Sequence, residues 1–227
     1  MDELTTSEAA ELLQVSRKEV QRLARVGALA TAASFGRAVA VDAVSAQRRL
    51  NRRPGRGRPW DPATAWGALD LLEGGDANWM GTSQRSRLRA RLTRTDAERF
   101  AVMVRNRAAT YRYRASESLL NGVAASLVLS GVSNVPVGDF GLAAGGSTVE
   151  GYTDRRGHQD CVRDFFLVAD QVGNVILRET TFVHIAAEDP HAGTGLAVTA
   201  VDLAESLEVR ERSAGLLVLQ QLLDRIG

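Results

Sequence analysis

Residues Ser7 to Leu29 read SEAAELLQVSRKEVQRLARVGAL, two short amphipathic helices separated by a turn's worth of residues, and few patterns restrict a fold as tightly. In a capping box, a Ser or Thr oxygen satisfies a free amide three residues on while a Glu there reaches back. Thr5 with Glu8 and Ser16 with Glu19 fit that pattern, so both helix starts are written locally. Ala9, Leu12 and Leu13 give the first helix an apolar face, and Val20, Leu23 and Ala24 give the second another, at three- and four-residue spacing. Helices this short are marginal alone, so the two faces are expected to pack on each other. Val15 falls in the bend, and Gly27 is placed to end the second helix in the left-handed conformation that glycine tolerates. Arg17, Lys18, Gln21, Arg22 and Arg25 stay outside.

A buried seam with a cationic second helix is what a helix-turn-helix requires, because the early residues of that helix must reach base edges and phosphates in a major groove. The stretch resembles the helix-turn-helix of excisionase and MerR-like DNA-binding proteins. The likeness continues through Ala30 to Leu50, which reads as a strand, a tight turn at Phe35, Gly36 and Arg37, a strand through Val39 and Val41, and a helix capped by Asp42. In that family this is the wing and a short helix, although the strand after the turn is often aromatic there and is only Ala and Val here. The competing reading is a plain helical hairpin with a solvated basic face.

Charge is unevenly distributed. Residues 1–115 hold 21 Lys and Arg against 12 Asp and Glu, and residues 116–227 hold 7 against 15, so a formal net charge of +1 hides opposite halves. A basic half has reason to sit on a polyanion, where neutralising phosphates releases counterions. Between the first unit and the rest runs RRLNRRPGRGRPWDP, Arg48 to Pro62, whose Gly, Pro and Arg content marks a solvated linker. Its Arg56-Gly57-Arg58-Pro59 resembles the core of an AT-hook, in which glycine lets the backbone lie in a narrow minor groove while Arg56 and Arg58 reach along it. A plain basic linker making general phosphate contacts is the alternative.

Further on, Pro62 opens a helix with Ala65, Trp66, Leu69 and Leu72 as its stripe, ending at Gly74-Gly75. A second helix spans about Ser83 to Leu92, with Arg85, Arg87, Arg89 and Arg91 outward or toward a phosphate backbone. A third starts at a capping box of Thr95 with Glu98 and buries Phe100, Ala101 and Val104. Thr110 to Ser116 alternates Tyr and Arg, as an exposed or edge strand does. After Ser116 come a helix over Leu119, Leu120 and Val123, the run Leu127 to Leu129, a Gly-rich stretch from Val137 to Ser147, and strands at Val149–Tyr152 and Asn174–Leu177. A helix over Cys161, Phe165, Phe166 and Leu167 lies between those strands, and a last long helix runs from about Val198 to Ile226. Ala68 to Glu73 and Ala200 to Glu205 agree at four of six positions, each expected to put a carboxylate at a helix start.

The order of these segments, with YRYRAS, LVLSGVS, VEGYT, VILRE and AVDLAESLEVRERSAGLLVLQQLL, resembles actinobacterial AbiEi-like antitoxins of type IV toxin–antitoxin pairs. The resemblance implies a DNA-binding antitoxin that represses its own operon and counteracts a nucleotidyltransferase toxin through a second region. Double-stranded DNA is then the expected partner, with a cognate toxin and a second copy of the chain as further candidates.

An enzyme is not expected. A nucleotidyltransferase needs two carboxylates at alternate positions after a Gly-Ser turn, and here Asp139 stands alone with Gly141 where the second belongs. His158, Asp160 and Cys161 lack ligand spacing, and His184 and His191 lie in other segments, so hydrogen-bonded or exposed side chains account for them and no metal or cofactor is expected. GDFGLAAGGS lacks the Lys and Ser/Thr of a P-loop. A single cysteine, an acidic start unlike a signal peptide and the absence of a ~20-residue apolar run point to a cytoplasmic protein without membrane spans.

The expected fold class is α+β: a winged helix-turn-helix over 1–50, a basic linker over 51–61, a helical segment over 62–115 and an acidic α/β domain over 116–227. The expected DNA-contacting residues are Arg17, Lys18, Gln21, Arg22, Arg25, Arg37, Arg56 and Arg58, and no catalytic residue is assigned. The function expected is a transcriptional repressor acting as antitoxin. A stand-alone transcription factor with a small-molecule-sensing C-terminal domain is the alternative.

Overall fold

Thr5 Oγ1 accepts the Glu8 amide at 3.2 Å and Glu8 returns a bond to the Thr5 amide at 2.7 Å, so the first helix starts where its capping box places it. The computed structural model describes residues 3–32, 39–51, 58–134, 140–142, 148–186 and 193–226. It is a mixed α+β chain in two units, one of Met1–Arg53 with Ala169–Gly173 and one of Pro54–Val168 with Asn174–Gly227.

In the first unit the elements are β1 (Glu3–Thr5), α1 (Thr6–Leu12), α2 (Arg17–Arg25), β2 (Thr31–Ala32), β3 (Ala40–Asp42) and α3 (Ala43–Asn51). Both helix ends close in the same way. At α2, Gly27 adopts φ +70° while its amide bonds to Ala24 O and the Ala28 amide to Leu23 O, the paired bonds of a Schellman motif. At α1 the same pair runs from Gln14 to Glu11 and from Val15 to Ala10, with Gln14 at φ +45° in the place usually held by glycine. Ala9 and Leu13 meet Val20 and Leu23 in one buried cluster with Leu29, Val41 and Ala46. Asp42 Oδ1 accepts the Ser45 amide at 2.7 Å and so caps α3. The three strands pair antiparallel in the order β1-β3-β2, and β1 is an addition to the sequence reading.

The second unit begins with α4 (Pro62–Leu72), α5 (Thr82–Leu92) and α6 (Ala97–Met103). Asp61 caps α4 at 3.0 Å and Gly74, at φ +86°, follows its end. Trp66 and Leu69 are buried as the stripe required, but so are Gly67, Ala68 and Leu71, because α4 is enclosed by its neighbours. The cap of α6 is Asp96, whose Oδ1 accepts the Arg99 amide at 2.8 Å. Thr95 instead donates to Arg91 O at 2.7 Å, so the expected box of Thr95 with Glu98 is not formed.

There follow β4 (Ala109–Arg114), α7 (Leu120–Ala125), β5 (Val128–Leu129), β6 (Val149–Thr153), α8 (Arg155–Asp164), β7 (Val168–Ala169), β8 (Val175–Glu179), α9 (Val183–Ala186), α10 (Leu196–Ala204) and α11 (Val209–Asp224). The five strands order as β5-β6-β8-β4-β7, with β6 parallel to β8 and β4 antiparallel to it. The Tyr/Arg strand β4 is therefore an inner strand, and the sheet joins residues on both sides of the boundary expected at 115/116. Alternation along the strands divides the core. Val149, Val175 and Leu177 face Val123, Cys161 and Leu167, while Tyr152 joins the cluster of Trp66, Ala200 and Leu203.

The expected last helix is two, α10 and α11, packed on each other. Gly215 permits that approach, since a Cβ there would lie 2.5 Å from Ala200 O and 2.6 Å from Ala204 N. Phe165 and Phe166 lie beyond the end of α8, with Phe166 exposed at φ +50°. Asp70, Glu73, Asp202 and Glu205 occupy the C-terminal ends of α4 and α10 or the residues just after, not helix starts, because those helices begin at Pro62 and Leu196. Among the described residues no helix is long and apolar enough to cross a membrane.

Candidate nucleic-acid interface

With Val20 and Leu23 buried, helical periodicity turns Arg17, Lys18, Gln21, Arg22 and Arg25 to the outside of α2, and all five are exposed. The structure thus brings together five of the eight residues assigned from the sequence. Arg58 is exposed in the second unit, whereas Arg37 and Arg56 lie outside the described residues.

Local chemistry on α2 differs from a full capping box. Ser16 Oγ accepts the Glu19 amide at 3.2 Å, but the Glu19 carboxylate does not return to Ser16. It takes Arg22 in a two-point bond, Nε at 2.8 Å and a terminal nitrogen at 2.7 Å. A charge-assisted fork outcompetes a neutral amide for the same oxygen pair. The Arg22 hydrogen bond draws the Glu19 carboxyl below its ordinary range, and the same bond raises the Arg22 guanidinium. Arg22 is accordingly held in one plane, with its remaining N–H edge open and the side chain 56% exposed. Arg49, exposed on α3, also pulls the Glu19 carboxyl down, so it belongs to the same charged surface. The sequence reading missed it because only the fold brings its charge within reach of Glu19.

The second unit holds a different assembly that sequence reasoning also missed. Glu150 and Tyr152 on β6 and Arg178 on β8 alternate onto the sheet face that meets α10. Arg178 bonds Glu150 at 2.6 Å, Asp202 at 3.2 Å and Glu205 at 2.9 Å. Arg107 bonds Asp202, Glu205 at 2.7 Å and Tyr152 Oη at 2.8 Å. Ser130 donates to Asp202 and accepts from Thr194, which extends the network to Thr199 and Asn134. Burial pushes the Glu205 carboxyl up, but Arg107 and Arg178 outweigh it and hold the group at about 2. For Glu150 burial prevails over Arg178, and the carboxyl lies above its ordinary range. Burial opposes the charge of Arg107 too, yet Glu205, Tyr152 and Asp202 keep it firmly protonated. The only signal in the sequence was a Glu and an Arg inside the apolar strands VEGYT and VILRE.

On the other sheet face, His158 Nδ1 meets Glu179 Oε2 at 2.6 Å and its Nε2 meets Tyr113 Oη at 2.7 Å, which makes it the hydrogen-bonded histidine expected. The ring of Tyr111 lies 4.5 Å from the imidazole. Cys161 is buried against this layer, and burial raises its thiol. Among the described residues no group of three or more His, Cys, Asp and Glu is arranged to hold a metal ion. Asp139 and His191 lie outside the described residues.

No protein-family model matches the chain, and neither curated proteins nor solved structures provide a match.

Proposed function

We propose that the chain is a sequence-specific DNA-binding regulator whose first unit is a winged helix-turn-helix, with α2 as the helix that enters a major groove. The observation that carries this reading is the exposure of Arg17, Lys18, Gln21, Arg22 and Arg25 on a helix whose opposite side, Val20 and Leu23, is buried. An α-helix with its side chains is about 10–12 Å across, which suits a groove about 12 Å wide. In the proposed roles Gln21 and the open edge of Arg22 read base edges, while Arg17, Lys18, Arg25, Arg37 and Arg49 hold phosphates. Base contacts specify and phosphate contacts position.

The test is fluorescence anisotropy of the full chain on its own promoter duplex and on a scrambled duplex. Gln21→Ala is expected to narrow the ratio of the two affinities by about tenfold, the ~1–3 kcal/mol of one good base contact. An unchanged ratio, or equal binding of both duplexes by the unaltered chain, overturns sequence-specific recognition.

The role of that binding is proposed to be autorepression by the antitoxin of a nucleotidyltransferase-type toxin–antitoxin pair. This part is supported by the order of segments from the helix-turn-helix through YRYRAS and VEGYT to the closing helices. Co-expression with the neighbouring gene tests it. Relief of that gene's toxicity by this chain supports it, and a neighbouring gene without toxicity removes it.

A further inference from the structure

We infer that the second unit carries its own contact face for the phosphate backbone of double-stranded DNA, formed by Arg87, Arg91 and Arg94 along and just beyond α5. The inference rests on the DNA-binding reading and extends it to residues outside the first unit. Electrostatics gives the reason to look for such a face. The first unit holds nine Lys and Arg against seven Asp and Glu, a net of only +2. Counterion release scales with the number of phosphates neutralised, commonly about 6–10, so the five first-unit cations assigned to phosphates leave room for further contacts from outside that unit.

One acid-free run of cations in the second unit lies on and around α5. Between Asp76 and Asp96 stand 19 residues with five arginines and no carboxylate. Leu88 and Leu92, four residues apart and buried, fix which side of α5 faces the core. Arg85 and Arg89 are drawn to the start of this segment: Arg85 donates to Asp76 O at 2.9 Å and Arg89 lies 3.9 Å from the Asp76 carboxylate. Arg87, Arg91 and Arg94 are exposed, at four- and three-residue spacing, and among the described residues no carboxylate pairs with them. Arg91 is held over the buried ring of Trp60, 5.3 Å from its centroid, which fixes the guanidinium before any ligand arrives. Arg58, also exposed, lies two residues from that ring.

The eight residues from Arg87 to Arg94 span about 10 Å, a length over which one DNA strand presents about three phosphates. A membrane surface fits less well, because an interfacial helix must offer its apolar face to lipid and here Leu88 and Leu92 are buried.

The experiment compares the full chain with R87Q/R91Q/R94Q, measuring anisotropy on promoter and scrambled duplexes between 50 and 300 mM KCl. A second triple variant, R155Q/R156Q/R210Q, removes the same charge from exposed positions on α8 and α11. The α5 variant is expected to weaken binding to both duplexes by the same factor and to flatten the log–log salt slope by about 2 to 3, ~0.9 for each phosphate that the variant leaves unneutralised. The control is expected to keep the slope. An unchanged slope in the α5 variant overturns the inference, as does an equal fall in the control, which would mark a general charge effect. So does an unchanged slope joined to loss of an acidic protein partner. Failure of the unaltered chain to bind any duplex would instead defeat the DNA-binding reading itself.

Discussion

Arg107→Met tests the internal electrostatics of the second unit. In the folded chain Arg107 and Arg178 face three carboxylates, Glu150, Asp202 and Glu205, with Tyr152 between the two guanidinium groups. Methionine fills much of the same volume but leaves one guanidinium for three carboxylates, two of them almost wholly buried. Removing one partner of a buried pair costs about 3–5 kcal/mol, because the remaining charge has already lost its water. For a unit of this size each kcal/mol lowers Tm by about 2–4 °C, so a fall of roughly 6–20 °C is expected. All three tryptophans, Trp60, Trp66 and Trp79, lie in the second unit, so a melt followed by tryptophan emission reports that unit alone. A second variant, R107M/D202L, removes one charge of each sign and is expected to recover at least half of the loss, since an apolar pair of similar volume carries no desolvation penalty. A drop below about 2 °C for Arg107→Met, or a double variant as damaged as the sum of its singles, refutes the reasoning.

Gly215→Ala is expected to destabilise the same unit by up to about 2 kcal/mol: the ~1 kcal/mol gain in helix propensity is outweighed by overpacking of about 1–3 kcal/mol against the backbone of α10. The emission melt checks it, and a raised Tm contradicts the close approach at Ala200 and Ala204. Glu205, held at about 2, contributes stability that is complete above the ordinary carboxylate range and is lost as pH falls through about 2. Glu150 has the opposite sign, since a raised carboxyl costs stability while ionised and that cost fades as pH falls through its folded value. Glu205→Gln is therefore expected to flatten the acid limb of Tm against pH, and an unchanged limb assigns acid sensitivity to other groups. Gln14→Gly, at φ +45°, is expected to stabilise the first unit by about 1 kcal/mol, read as slower amide hydrogen exchange in α1 and α2; faster exchange contradicts it.

Much of the first unit was legible in the sequence because its instructions are local. Thr5, Gly27 and Asp42 act on amides or turns a few residues away, and each does in the fold what its position announced. Gln14 was not legible, since nothing in its own chemistry asks for a left-handed conformation; the packing of Leu13 on Val20 and Leu23 imposes it. Glu19 had two legitimate partners, and only geometry decided for Arg22. In the second unit β4, β6 and β8 were found, but not β5 or β7 as strands, nor that β4 joins β8, so the change in charge near residue 115 looked like a domain boundary. The ionic cluster was hidden for the same reason. Glu150, Arg178 and Asp202 come from three segments, and only strand pairing brings them onto one face. The last long apolar pattern concealed a reversal, because α10 and α11 each keep helical periodicity and the residues between them include neither Gly nor Pro.

Lys18 is the only lysine in the chain and stands on the exposed face of α2, so an amine-reactive reagent reports on that face almost alone. The most direct measurement is the rate of Lys18 acetylation, followed by peptide mass, with and without a saturating amount of promoter duplex. Docking of α2 on DNA is expected to slow it at least tenfold and to release the protection as salt is raised. An unchanged rate on a chain that anisotropy shows to be bound would mean that α2 is not the surface that meets DNA.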